Sequence, residues 1–291
     1  MGHIPVLLDE VLSWLRIEPD GQYVDCTLGA GGCARAILER LGRGRLVAID
    51  RDPAAIEAAR EGLRGFGDRL LLVRCRFGDL KTVLEEAGTG PVNGIVADLG
   101  VSREQLEAAG RGFSFLTDGP LDMRMDPDQA LTAARLVNHH GEKPLADLIY
   151  GLGEERRSRK IARAIVRARP LAGTKKLAEC IERAAPRTVG HRLHPATKTF
   201  QALRIAVNDE LGELERLLEA APPWLLPGGR FIVVSFHSLE DRAVKQAFRR
   251  WSDQKTLRIL TKHVIRPGEP EVRANPASRS AKLRAAERRV D

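Results

Sequence analysis

Cysteine and aromatic residues are scarce in this chain of 291 residues. The four cysteines, Cys26, Cys33, Cys75 and Cys180, form no C-x-x-C pair, which excludes paired-thiol zinc and redox motifs. Four cysteines in so long a chain also exclude a disulfide scaffold, so we expect reduced thiols. With 8 Phe, 3 Trp and 2 Tyr and no aromatic-rich strand, a sheet that stacks RNA bases is disfavoured.

Long apolar runs are missing as well. No run approaches the roughly 18 to 20 residues that a membrane span needs, and the N-terminal segment meets Asp9 and Glu10 too early for a signal-peptide core. We therefore expect a cytoplasmic protein without membrane contact. The hydrophobic fraction of 43% and the charged fraction of 30% are typical of a globular protein, and the length predicts one large domain or a core domain with an insertion.

Positive charge is concentrated in two parts of the chain, which has a formal net charge of +8. Residues 242–291 hold 14 Lys/Arg against 5 Asp/Glu, and residues 156–176 hold nine Lys/Arg and no acid. Such fields attract polyanions by releasing condensed counterions, which favours nucleic acid as a partner. The alternative is that each run is a solvated helix face.

The first hundred residues alternate strand and helix patterns, which predicts a parallel sheet with helices on both faces. GQYVDCTLG, RLVAID, LLLVRC and VNGIVADLG are predicted as the first four strands. Between about residues 101 and 198 the pattern predicts helices and loops without a strand. This segment is interpreted as an inserted, mainly helical domain.

The sheet pattern resumes after the insertion. The segment 200–221 predicts one long amphipathic helix, PPWLLPGG a turn and RFIVVSF a fifth strand. The last 25 residues are rich in Pro, Ser and Arg, and we expect them to order only against the body of the protein or against RNA.

A glycine-rich loop follows the first strand in VDCTLGAGGCARAIL. Gly29, Gly31 and Gly32 allow a tight turn and a close approach of ligand to backbone. The loop also satisfies a relaxed dinucleotide pattern, and an acid that ends the second strand, Asp50, fits either type of ligand. Asp25 and Asp98, however, would repel a pyrophosphate and attract a cationic cofactor. The alternative for these two acids is that they cap loops.

Other polar clusters are weaker indications of a functional site. His191 and His194 form H-x-x-H without the H-E-x-x-H signature, so no metal is predicted. Asn208 and a cluster past the fifth strand lie where a doubly wound sheet places its substrate. That cluster comprises His237, Ser238, Glu240 and Asp241. Its alternative is a helix start capped by Ser238.

The chain resembles the RsmH (MraW) family of methyltransferases along nearly its whole length. The blocks that carry the resemblance are HIPVLLDEVL, DCTLGAGG, AIDRDP, DLGVS, RGFSF, GPLDMRMD, GEERRSRKIARAIV, HPATKTFQALRIAVNDEL, GGRFIVVSFHSLEDRAVK and NPASRSAKLRAAE. The resemblance implies transfer of a methyl group from S-adenosylmethionine to cytosine N4 in 16S rRNA of the small ribosomal subunit. It also implies a class I, Rossmann-like α/β fold. The corresponding domains are 1–102 with 200–291 for cofactor binding and 103–199 for substrate recognition.

The family's cofactor contacts map onto matching blocks of this sequence. They are Gly31, Gly32, Cys33, Asp50, Phe77, Asp98 and Gln105. Cys33 departs from the family's sequence pattern, because the family usually has histidine at this position. Arg103 and Glu107 are milder departures from the pattern. Asp98 and Asn208 are the candidate catalytic residues, with Asp98 as the proposed acceptor near the reacting amine.

RNA binding is assigned to the two basic regions rather than to a motif. The candidate contacts are Arg156, Arg157, Arg159, Lys160, Arg279, Lys282 and Arg284. Two other classes stay open at this point, a nicotinamide-dependent oxidoreductase and a non-catalytic RNA-binding factor. The sequence also leaves open whether the protein is a monomer or a dimer.

Overall fold

The structure of the protein is a computed structural model that describes residues 5–187 and 193–290. Contacts divide the chain into two compact units, Met1–Gly100 with Leu211–Asp291, and Val101–Glu210. Within the described residues, no helix combines the length and the apolar character needed to cross a membrane.

The first unit is a doubly wound sheet. Its strands are β1 Gln22–Asp25, β2 Arg45–Asp50, β3 Leu70–Arg74, β4 Val92–Asp98, β5 Leu225–Ser235, β6 Leu257–Ile259 and β7 Lys282–Arg288. Their order in the sheet is β3-β2-β1-β4-β5-β7-β6. The first five strands are parallel, whereas β7 is antiparallel to both β5 and β6. The carboxyl ends of β1, β2 and β4 therefore lie along one edge.

Helices cover both faces of this sheet. They are α1 Leu8–Leu15, α2 Gly32–Leu38, α3 Pro53–Gly62, α4 Leu80–Glu86, α11 Glu210–Ala220 and α12 Ser238–Asp253. A further short helix, α13 Glu269–Ala274, precedes β7. Successive strand residues point to opposite faces, so Ile232 packs into the core with α1, α2 and α3. Phe231 packs into the other core with α4, α11 and α12. Burial on both faces explains why these strands are almost continuously apolar.

The second unit is helical. It contains α5 Arg103–Glu107, α6 Ala133–His139, α7 Glu142–Gly153, α8 Ser158–Arg167, α9 Thr174–Ala184 and α10 Thr197–Asn208. Leu136, Ile149, Ile161, Leu177 and Phe200 are among the side chains of its separate hydrophobic core. Pro120 and Gly173 form an isolated antiparallel bridge.

The predicted helix over 200–221 is wrong, because it is two helices. Asp209 lies between α10 and α11 with φ 50° and ψ 38°, a left-handed conformation that aspartate tolerates better than most residues. The predicted domain boundary near residue 199 is also displaced. Helix α10 packs on α7 and belongs to the second unit, which ends at Glu210.

The C-terminal segment orders against the body of the protein, which is one of the two outcomes expected from its composition. Strand β7 lies between β5 and β6, with Leu283, Ala285 and Ala286 fully buried. Its charged residues have specific partners, since Glu287 binds Arg230 and Arg258. Because of these charged residues, the sequence of β7 is typical of a solvated segment although the strand is buried.

Candidate cofactor and catalytic site

The loop between β1 and α2 is shaped by glycines in left-handed conformations. Gly29 has φ 49° and Gly31 has φ 77°, and Gly31 directly precedes the first residue of α2. The loop is tied to β2, because the Leu28 N–H donates to the Ile49 carbonyl at 2.9 Å. Gly32 and Cys33 are the first two residues of α2, so the predicted glycine turn and helix start coincide with the structure.

Asp50 ends β2 and holds this loop in place. One carboxylate oxygen accepts the Gly29 N–H and the other accepts the Asp52 N–H, each at 2.9 Å. Burial raises the pKa of Asp50, although these two hydrogen bonds partly offset the effect. A carboxylate oxygen can accept more than one hydrogen bond, so Asp50 can support the loop and still bind a ligand hydroxyl.

Asp50→Ala is expected to weaken S-adenosylhomocysteine binding by about 1.5 to 3 kcal/mol, the range for a hydrogen bond to a charged group. Titration calorimetry measures this change. Asp52→Ala is the matched control, because Asp52 caps α3 by accepting the Ala54 N–H. The control should lower the melting temperature and spare affinity, and an Asp50→Ala protein with unchanged affinity would contradict the assignment.

Asp25 and Asp98 are joined through Thr27. Asp25 Oδ1 accepts the Thr27 N–H at 3.0 Å, and the Thr27 hydroxyl oxygen accepts the Asp98 N–H at 2.6 Å. Sequence reasoning missed Thr27, whose type and position gave no distinct signal. The remaining oxygens, Asp25 Oδ2 and Asp98 Oδ1, are buried and have no hydrogen-bond partner within the described residues. Capping the loop thus uses one carboxylate oxygen of Asp25, whereas Asp98 contacts Thr27 through its backbone N–H.

The electrostatics of this pair are unusual for carboxylic acids. Burial raises the pKa of Asp25 to about 7, with a further contribution from the charge of Asp50. Burial and the charges of Asp25 and Glu240 raise the pKa of Asp98 to about 8. Desolvated carboxylates with free oxygens attract a cation strongly, since water no longer screens them. The arrangement therefore fits a positively charged ligand.

Cys33 lies beside these acids but is poorly suited to nucleophilic chemistry. Its thiol is buried, and burial together with the charges of Asp25 and Asp98 raises its pKa well above the usual range. A protonated thiol is a weak nucleophile. Cys33 is thus a small packing residue at the start of α2.

Phe77 occupies the next position along the same edge of the sheet. It begins the 3-10 turn Phe77–Asp79, which follows β3. The Cys75 N–H donates to the Asp50 carbonyl at 3.0 Å, which joins the turn to the end of β2. The Phe77 ring is half-buried, and the Arg51 guanidinium carbon lies 5.9 Å from its centre.

Gln105 and Asn208 belong to the second unit, where both have structural contacts. The Gln105 side chain accepts the Ser102 N–H at 3.1 Å in a capping box at the start of α5. Asn208 is buried, accepts the Met125 N–H, and donates to the carbonyls of Met123 and Arg204. These contacts favour a structural role for Asn208, and its catalytic role stays a prediction.

The cluster past β5 forms a helix cap, but the capping residue is His237 rather than Ser238. His237 Nδ1 accepts the Glu240 N–H at 3.3 Å, and the Glu240 carboxylate accepts the His237 N–H. Asp241 instead binds Arg284 at 2.7 Å and Lys282 at 3.4 Å. Burial favours a higher pKa for Asp241, but the hydrogen bond and charge of Arg284 lower it.

The candidate RNA contacts separate into two groups. Arg156, Arg159, Lys160 and Arg279 are exposed. Arg157, Lys282 and Arg284 have partners in the fold, namely the Glu155 carboxylate, the Pro186 carbonyl and Asp241. For these three, the structural interpretation that the sequence had left open is the better one.

The sequence predicts no metal at the H-x-x-H pair formed by His191 and His194. His191 lies outside the described residues. His194 Nδ1 accepts the Ala196 N–H at 3.1 Å, which leaves that nitrogen committed to the turn before α10.

The sheet has the strand order β3-β2-β1-β4-β5-β7-β6, and β7 is antiparallel. Together with the acids at the ends of β1, β2 and β4, this topology defines a methyltransferase with a Rossmann-like sheet. The model of the MraW methylase family matches residues 1–289. The chain therefore belongs to the MraW methylase family, which decides against the oxidoreductase alternative.

Curated relatives align over the whole chain. A protein of Solibacter usitatus called ribosomal RNA small subunit methyltransferase H is 55% identical over 287 residues, with 99% of this chain and 100% of the relative covered. Relatives of the same name from Acidobacterium capsulatum and Cyanothece sp. are each 50% identical. They cover 99% and 98% of this chain, and 98% and 94% of their own lengths.

Proposed function

We propose that the protein transfers the methyl group of S-adenosylmethionine to N4 of a cytosine in the decoding region of 16S rRNA. The observation that carries the proposal is the pair of buried carboxylate oxygens on Asp25 and Asp98 that have no hydrogen-bond partner within the described residues. The names of the curated relatives support the RNA substrate. Action on ribosomal RNA also implies a cytoplasmic location.

The residues at the ends of β1, β2 and β4 fit this cofactor. Its sulfonium and ammonium groups are cations, which matches the acidic set around Asp25 and Asp98. Asp50 would bind the ribose hydroxyls, Gly31 and Gly32 would allow close approach of the backbone, and Phe77 offers a ring face to adenine. When bound, the cofactor supplies an electrophilic methyl group.

Asp98 is the proposed acceptor for the amine. The lone pair of cytosine N4 is delocalised into the ring, so attack on the methyl carbon requires stabilisation of the N–H groups as nitrogen becomes cationic. With the cofactor held by Asp25 and Asp50, a new N–C bond would form as the methyl–sulfur bond breaks, and Asp98 would accept the displaced amine proton. Asp98, with a pKa raised to about 8, is a stronger base than an ordinary carboxylate and suits proton transfer near neutral pH.

RNA is expected to contact the second unit along α8. Arg156 lies in the turn just before α8, Arg159 and Lys160 lie in its first turn, and all three side chains are exposed. The target base must leave its stack to reach a methyl donor, at a cost of a few kcal/mol. Phosphate contacts by these cations would offset that cost.

Replacing Arg156, Arg159 and Lys160 together by alanine should weaken RNA binding and flatten its salt dependence by about 0.7 to 0.9 log units per lost contact. Cofactor affinity and the melting temperature should not change, because the three side chains are exposed. Binding measured at several salt concentrations tests this prediction.

A matched triple removes Arg16, Arg45 and Arg64, which are exposed cations of the first unit outside both basic regions. This control should leave the salt slope unchanged. If the α8 triple lowers the melting temperature and keeps the wild-type slope, these residues serve the fold and the RNA assignment is wrong.

The experiment that tests the proposed substrate is methyl transfer from labelled S-adenosylmethionine to small ribosomal subunits that lack the modification. Free 16S rRNA, large subunits and transfer RNA are the comparison acceptors. Incorporation into 16S rRNA, free or assembled, supports the proposal. Incorporation only into another RNA, or none at all, contradicts it.

A further inference from the structure

Glu213 on α11 is a buried carboxylate that the proposed reaction does not use. Its side chain is 1% exposed. Removing a charge from water costs several kcal/mol unless partners compensate, so its contacts identify what this position requires. The sequence gives no sign of this, since Glu213 is one of several acids in ELGELERLLEA.

The Glu213 carboxylate binds two arginines and one backbone group. Oε1 lies 2.7 Å from Arg216 and 3.3 Å from Arg76, which compensates the charge. Oε2 accepts the Gly78 N–H at 3.0 Å. A Cβ atom at Gly78 would be in severe steric conflict with that oxygen, so glycine is needed for this close approach.

Two of these partners flank Phe77. Arg76 precedes it, and Gly78 follows it within the 3-10 turn Phe77–Asp79. The carboxylate therefore holds the backbone after the ring through the Gly78 N–H, and it binds the guanidinium of Arg76 before the ring. A half-buried ring at a sheet edge keeps its direction only if its turn is held, because a single turn of 3-10 helix has little stability of its own.

We propose that Glu213 is a positioning residue that holds Phe77 in the orientation that receives the adenine of the cofactor. This inference rests on the proposed function, in which Phe77 contacts the cofactor. Glu213 acts through Phe77 and does not itself touch the ligand. Loss of its charge should therefore reduce cofactor affinity only while the Phe77 ring is present.

A double-mutant cycle on S-adenosylhomocysteine affinity tests this coupling. Phe77→Ala should weaken binding about tenfold and Glu213→Gln about three- to tenfold. The double variant should bind within about twofold of Phe77→Ala alone. Glu215→Gln is the matched control, because Glu215 is exposed on the same helix, and its affinity should equal that of the wild type.

The outcomes distinguish the positioning role of Glu213 from the cofactor contact of Phe77. If Phe77→Ala leaves affinity unchanged, the cofactor assignment of Phe77 fails and the inference fails with it. If Phe77→Ala weakens binding but Glu213→Gln does not, or weakens it equally with and without Phe77, only the inference is overturned. A lowered melting temperature with additive effects on affinity would show a purely structural carboxylate.

Gly78→Ala provides a second variant if Glu213→Gln does not fold. The added methyl group must displace Glu213 Oε2 or the turn itself, because the two atoms would overlap. We expect a similar loss of S-adenosylhomocysteine affinity that disappears in the Phe77→Ala background. A loss that persists without the ring would overturn the proposal.

Discussion

Asp25→Asn and Asp98→Asn should each stabilise the protein without cofactor at pH 8.5 while weakening its affinity for S-adenosylmethionine. Burial raises the folded pKa of Asp25 to about 7 and that of Asp98 to about 8, whereas the pKa of an aspartate in the unfolded chain is about 3.9. Between the unfolded and folded pKa values the native state binds more protons. Stability therefore falls as pH rises from about 4 through the folded pKa.

The expected gain in the free energy of unfolding for each asparagine variant is on the order of 2 to 4 kcal/mol at pH 8.5, with little gain at pH 4. Urea unfolding at the two pH values measures it. A wild-type protein whose stability does not fall over this range would contradict the assigned pKa shifts.

Cofactor affinity should depend on pH in the opposite sense. A cation binds best to ionised carboxylates, so the wild-type affinity for S-adenosylmethionine should rise with pH until both acids have lost their protons. Each asparagine variant should lose about 1.5 to 3 kcal/mol of affinity and part of this pH dependence. If both variants retain the wild-type pH profile, the two carboxylates are not the groups that bind the cation.

Gly31→Val should abolish measurable cofactor binding, whereas changes at Cys33 should be mild. Gly31 has φ 77°, a conformation that a β-branched residue adopts only with strain of about 1 to 3 kcal/mol. Within the fold, a Cβ there would lie at 3.4 Å from Leu63, which is an ordinary contact. The predicted loss thus comes from backbone strain and from the side chain entering the space of the ligand.

Cys33→Ser and Cys33→His are the companions to this variant and should keep most activity, because burial raises the pKa of the Cys33 thiol and so disfavours the reactive thiolate. The activity of Gly31→Asn should lie between that of the Cys33 variants and that of Gly31→Val, since asparagine tolerates the left-handed region. Methyl-transfer rates and melting temperatures should be measured together. An inactive Cys33→Ser protein that folds normally would require a role for the thiol.

The sheet and its glycine loop were predictable because the residues that determine them lie close together in the sequence. A run such as RLVAID is apolar because β2 is buried on both faces, and a glycine-rich turn from a buried strand into a helix is typical of a ligand-binding loop in a doubly wound sheet. Asp25, Asp50 and Asp98 could be placed at one sheet edge because each directly ends a strand.

The remaining features depend on contacts that no local pattern shows. The break at Asp209 interrupts an apolar period that continues on both sides of it. The sequence of β7 is not typical of a buried strand, because it carries charged residues. The partners of these charges, such as Arg230, lie far away in sequence. The same holds for Lys282 and Arg284, which Asp241 binds. A cluster of basic residues can therefore predict a polyanion surface where the fold uses the charges itself.

The most direct test of the proposed reaction is nucleoside analysis by mass spectrometry of 16S rRNA after incubation with the protein and S-adenosylmethionine. We predict N4-methylcytidine at a single cytosine of the decoding region, and a rate that falls strongly in Asp98→Asn. Formation of 5-methylcytidine, a methylated purine or a 2′-O-methylated nucleoside instead would contradict the proposed reaction.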